Sequence, residues 1–221
     1  MKFNSGRSAE SMNMLKPVFT ILFLLASCAC TRYIELNPKL DKQSLYDPIP
    51  LTVGYYKNPE LINRLEERDY NRSGSFVFPI GQASTELFEQ ILATMFAKVV
   101  PTPNRNIKRF SGTQQLAGII DIDITEFFSS VDSMYTGNPF PYSITYKISI
   151  TDSFGNPVAS WPVTSHCNTS QACPGRLFCT HSDVVEFVMQ DAMAKFMVDF
   201  HNKPEITKWL SDLGVKEREV K

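Results

Sequence analysis

Three groups of residues have types and spacings that could do chemistry. The first is Cys28, a thiol that closes the apolar run from Val18 to Ala26, with the small residues Ala26 and Ser27 directly before it. Small residues let a backbone enter a peptidase cleft, and a thiol can be converted to a thioether. The second is the set Cys167, Cys173 and Cys179, spaced Cys-x5-Cys-x5-Cys and flanked by His166 and His181. Thiolates and imidazoles can hold zinc, and a thiol beside an imidazole can be a nucleophile. The spacing matches none of the familiar close-pair zinc frameworks, and no known cysteine-nucleophile signature surrounds it. The third is Asp121 and Asp123, two residues apart on one face of an alternating stretch, roughly 7 Å from each other. Paired carboxylates can do acid-base work or hold a divalent cation, and the same spacing fits the wet face of any half-buried strand. The chain has no Gly-x-Ser-x-Gly elbow, no phosphate-binding glycine loop, no His-Glu-x-x-His helix and no dinucleotide fingerprint. No catalytic residue, metal ligand or cofactor is therefore assigned.

The stretch before Cys28 gives the most specific reading. Lys16, with Lys2 and Arg7 further out, places positive charge ahead of an apolar run too short to span a bilayer. Met12 or Met14 would give a more compact leader. Leu25-Ala26-Ser27-Cys28 resembles the lipobox of bacterial lipoproteins, in which the cysteine becomes the acylated N-terminus. Cys30 fits less well, because Ser27 would then occupy the aliphatic position. The alternatives are an ordinary signal peptide or a buried apolar strand. If the resemblance holds, the covalent lipid sits on Cys28, and several acyl chains hold a protein durably where one does not. Ala29 rather than Asp follows the cysteine, which by likeness to enterobacterial sorting favours the outer membrane, with the domain on its periplasmic face.

Composition sets the remaining bounds. The chain is 43% hydrophobic and 20% charged with a formal net charge of −1, ordinary for one globular domain and no footprint for nucleic acid. Residues 1–27 read as the signal peptide, 28–50 as a tether, 51–214 as a single domain and 215–221 as a charged tail. The tether mixes Pro38, Pro48 and Pro50 with polar residues and shows no period. Extended, such a segment reaches roughly 60 to 70 Å. Packing of Tyr33, Leu36 and Leu40 on the domain is the alternative.

Within the domain, periodicity predicts the elements. Leu51 to Tyr55 and Ile119 to Phe127 read as strands, Ser75 to Pro79 as a short strand or an extended lead-in, and Asn58 to Arg72 as a charged connection in which Leu61, Ile62 and Leu65 could form a helical turn or two. Tyr142 to Thr151 alternates most cleanly and should form a hairpin with Val158 to Thr164 across an Asp-Ser-Phe-Gly-Asn turn. Leu87, Phe88, Ile91, Leu92, Met95 and Phe96 recur at the helical period, with Gly81, Ser84 and Thr85 as capping candidates. Val99-Val100 could begin a strand that Pro101 cuts short. Asp183 to His201 reads as a second helix, with Asp183 and Glu186 at capping-box spacing, and Pro204 starts a third. Asn104 to Gln115 reads as a loop whose Arg105, Lys108 and Arg109 suit an anion or lipid headgroup, or simply solvent. The sum is an α/β (α+β) two-layer sandwich: a mostly antiparallel sheet with amphipathic helices on one face. Outside the cytoplasm, at least one disulfide is expected among Cys167, Cys173 and Cys179, with Cys30 a fourth thiol.

The Gly81-x-x-Ser84-x-x-Leu87-Phe88 helix start, Ile122-Asp123-Ile124 and Tyr146-x-Ile148-x-Ile150-Thr151-Asp152-x-x-Gly155 resemble small envelope lipoproteins of the YajG and LptE kind. The resemblance implies a non-catalytic accessory subunit that binds an envelope protein partner in assembly or transport. A periplasmic lipid or small-molecule binder is the second expectation, with the sixteen Phe and eight Met lining a cavity rather than filling a core. A hydrolase or redox enzyme using Asp121 and Asp123 or the cysteines is the third.

Overall fold

The computed structural model describes residues 31–40, 47–69, 74–105, 116–129, 141–175 and 179–215. One side of its five-stranded sheet is the predicted hairpin, β7 (Pro141–Asp152) and β8 (Pro157–Asn168). Tyr142, Ile144, Tyr146, Ile148 and Ile150 all point to the buried side, as their alternation requires. The turn is held by Asp152, whose Oδ1 accepts from the N–H groups of Phe154 and Asn156, both at 2.8 Å. Gly155 supplies the left-handed φ of 85° that the turn needs. β6 (Gly118–Ser129) runs antiparallel to β7 and turns Ile120, Ile122 and Ile124 to the same side. β2 (Ile49–Tyr56) pairs parallel to β6, and β5 (Phe96–Thr102) parallel to β2, giving the order β5-β2-β6-β7-β8. The longest ladders are the antiparallel ones. Pro101 sits inside β5 and Pro162 inside β8, both outer strands. Pro101 therefore does not end its strand, because an edge tolerates a missing N–H.

Five helices accompany the strands among the described residues: α1 (Pro59–Ile62), α2 (Ile80–Met95), α3 (Thr169–Ala172), α4 (His181–Asn202) and α5 (Pro204–Asp212). α2 and α4 cover the apolar face of the five-stranded sheet. Phe88 meets Phe196 and Tyr55 at ring separations of 5.2 and 5.4 Å, and Trp161 stacks on Phe196 at 6.0 Å. The aromatic residues thus fill the space between the layers, as the packed-core reading requires.

Two helix starts differ from the sequence reading. α2 begins at Ile80 without a side-chain cap. Ser84 instead hydrogen-bonds the Tyr146 hydroxyl at 2.8 Å, and Thr85 donates to the Gly81 carbonyl at 2.9 Å. α4 is capped by Thr180, whose Oγ1 accepts from the Asp183 N–H while the Asp183 carboxylate accepts from the Thr180 N–H. Asp183 is the third helical residue of the box, not its cap.

A second sheet, order β1-β4-β3, lies against the end of β6: β1 (Arg32–Tyr33), β3 (Glu66–Asp69) and β4 (Ser75–Phe78). β3 falls in the stretch read as a charged connection. Its neighbourhood is tied down by arginines: Arg64 donates to the Ile124 carbonyl and Arg68 to that of Phe127 at 2.8 Å. Glu66 bridges both guanidinium groups at 2.8 and 3.0 Å.

Part of the segment read as a tether is docked. Past β1, the Ile34 N–H donates to the Val77 carbonyl at 2.9 Å. The Asn37 N–H donates to Glu186 Oε1 at 2.8 Å, and Gln190 Nε2 donates to the Lys39 carbonyl at 2.8 Å. Ile34, Leu36 and Leu40 pack on the core, while Tyr33 is 75% exposed. Residues 34–40 form a strap along α4, the packing alternative for Leu36 and Leu40 but not for Tyr33.

Candidate functional site

The structure separates the residues that sequence spacing had grouped. His166 is exposed on the open face of the sheet, opposite Ser143. His181 opens α4 on the core side, where its Nδ1 shares a hydrogen bond with the Tyr142 hydroxyl. Burial lowers the His181 pKa, which favours the neutral ring. Cys173 and Cys179 form a disulfide with Cα atoms 5.9 Å apart, pinning the approach to α4. Cys167 is free and buried, and its thiol donates to the Val184 carbonyl at 3.9 Å. Burial, with the Asp191 charge adding, pushes that thiol up to about 12, so it stays protonated at neutral pH. Ligand atoms of Cys173, Cys179 and Asp183 fall within 4.8 Å of one another. Both sulfurs are consumed by the disulfide and the Asp183 carboxylate closes the capping box, so this cluster does structural work.

Asp121 and Asp123 share the open face of β6, but they are not equivalent. Asp121 is only 9% exposed, and its Oδ2 meets Arg105 Nε at 2.6 Å. The Arg105 guanidinium also lies 5.3 Å over the Tyr56 ring. Burial raises the Asp121 carboxyl to about 6, against the opposing pull of Arg105. Its Oδ1 is buried and has no hydrogen-bond partner. Arg105 is therefore engaged within the fold. Lys108 and Arg109 lie outside the described residues, as do Cys28 and Cys30.

Around these groups the open face is a hydroxyl surface. Thr145 and Thr164 hydroxyls meet at 3.1 Å and those of Ser149 and Ser160 at 3.0 Å. Phe128, 48% exposed, stands opposite Ser143 at one end of it. Under the sheet, Ser165 donates to Asp191 at 2.5 Å and Lys195 pairs with the same carboxylate at 2.7 Å. Spacing alone hid this triad, because Ser165 is on β8 and its partners are on α4; the inward alternation of β8 is the signal that would have placed it.

Pairing registers gather one end of the molecule. Arg32 pairs with Phe76, whose ring lies 4.8 Å from His181. Tyr142, bonded to His181, pairs with Ser129 and Cys167. The start of β1, the end of β6, the start of β7 and the disulfide-bearing entry to α4 therefore lie together. The 153–156 turn lies at the opposite end of β7. No described helix is long and apolar enough to cross a membrane.

No protein-family model and no curated protein matches the chain. Solved structures do. A Xanthomonas campestris protein of family DUF330 is 11% identical, over 76% of this chain and 92% of that chain, with a TM-score of 0.45. Protein CT253 of Chlamydia trachomatis is 12% identical over 68% and 95%, with a TM-score of 0.41. A lipoprotein of Neisseria meningitidis is 9% identical over 67% and 95%, with a TM-score of 0.33.

Proposed function

We propose that this chain is a non-catalytic, lipid-anchored envelope protein that binds a protein partner on the periplasmic face of the outer membrane. The observation that carries the reading is the apolar run ending in Leu25-Ala26-Ser27-Cys28, four residues ahead of a segment docked on the domain. The resemblance to lipoproteins of the YajG and LptE kind points the same way. The groups that could have been catalytic are each engaged in the fold: Cys167 as a protonated thiol, His181 with Tyr142, Asp121 with Arg105. The hydroxyl-lined open face of the sheet is the surface offered to a partner, since the helices occupy the other.

A photoreactive side chain placed at Ser149 on the open face and, separately, at Val198 on α4 tests this in cells of the native host. One defined envelope protein should be captured from position 149 and not from 198. The mass of the N-terminal peptide should show acyl chains on Cys28. No capture from either position overturns the partner reading, and an unmodified Cys28 overturns the anchor.

A further inference from the structure

We infer that the domain rests directly on the phospholipid surface, with its β1 end down, rather than standing off on a long leash. The inference rests on acylation of Cys28 and adds where the domain lies. Only four residue steps separate Cys28 from Arg32, which is already in β1. Fully extended, that is at most roughly 14 Å. β7, a single strand of twelve residues, is itself about 40 Å long. The reach between Cys28 and β1 is therefore at most about a third of the length of the body it holds. Had the whole segment up to Ile49 been loose, the reach would be roughly 70 Å. The docked strap removes that reach through its bonds to Val77, Glu186 and Gln190.

The short leash also fixes which surface faces the lipid. β1 runs parallel to β4, and the strap follows α4 from Glu186 toward Gln190, away from the disulfide end. The attachment point is thus at the end that holds Arg32, Tyr33 and Phe128. Arg32 is an exposed cation suited to lipid phosphate. Tyr33, 75% exposed, has the amphipathic ring favoured at a membrane–water interface. Phe128 adds a half-exposed apolar ring. The 153–156 turn, with Phe154 71% exposed, is carried to the far end.

The test uses the acylated chain in vesicles of phosphatidylethanolamine and phosphatidylglycerol carrying a trace of nickel-chelating lipid. In a Cys30→Ser background, which leaves Cys167 buried and the other two cysteines bonded, a spin label is placed by Tyr33→Cys or by Phe154→Cys. Relaxation by headgroup nickel should be at least about fivefold greater at position 33 than at 154. Inserting twenty Gly and Ser residues between Cys30 and Thr31 should bring that ratio close to one. Equal relaxation at the two sites of the parent chain, or greater relaxation at 154, overturns the orientation while acylation stands. The mass of the N-terminal peptide is read from the same sample. An unacylated peptide overturns the anchor, and the orientation falls with it.

Discussion

Asp121 shows how a residue can be read correctly by type and wrongly by setting. Its alternation with Ile120 and Ile122 places it on the polar face, and there it is. What the alternation could not carry is the cover: Arg105, sixteen positions earlier, folds over it and over Tyr56. The burial has a measurable sign. Because the folded carboxyl titrates near 6 and the unfolded one near 3.8, the folded state holds its proton more firmly. The group's contribution is fully present below about 4 and is lost as pH rises through about 6. Asp121→Asn does not titrate. Its stability relative to the parent should therefore improve by about 2 kcal/mol between pH 4 and pH 7. Urea unfolding of both proteins across that range checks it; a flat difference would mean that the pair with Arg105 already offsets burial. The cysteines were legible to the level of one bridge, while the choice of Cys173 with Cys179 follows from Cys167 pointing inward from β8.

At the scale of elements, the long periodic stretches were legible because each carries its own amphipathic pattern. The hairpin, β6 and the two long helices all follow that rule. β3 was not, because Glu66 to Asp69 are all charged and their pairing with β4 is stabilised by arginines reaching the carbonyls of β6. Nor could the start of α2 be read from its hydroxyl residues, which are drawn into the core by Tyr146 and the helix backbone. Gly81 is the residue that sets that helix's position. A Cβ there would lie 1.7 Å from the Leu61 carbonyl oxygen, so α1 and α2 approach only because none is present. Helix propensity alone predicts that Gly81→Ala gains about 1 kcal/mol. The packing predicts the opposite sign, a loss of more than about 3 kcal/mol as two backbones are forced apart. Thermal unfolding with circular dichroism distinguishes the two.

For the molecule as a whole, the layer architecture was legible and the path of residues 34–40 was not. That segment has no period, and its partners Gln90, Glu186 and Gln190 lie far along the chain. Its worth can be measured directly. A protein beginning at Asp47 loses the contacts of Ile34, Leu36 and Leu40 with the core and should be less stable by roughly 3 kcal/mol. For a domain of this size that is about 10 °C in melting temperature, read by calorimetry; an unchanged melting temperature would show that the strap rides on the domain without holding it. Pro101 and Pro162 carry a different consequence. A leaflet confines its proteins to two dimensions, where copies collide often and in similar orientations. An outer strand with an unbroken row of N–H groups would let such collisions grow, copy by copy, into a fibre. β5 and β8, the outer strands of the five-stranded sheet, each have a gap in that row, so with Cys28 acylated as proposed, crowding on one leaflet should leave the molecules diffusing freely as neighbours.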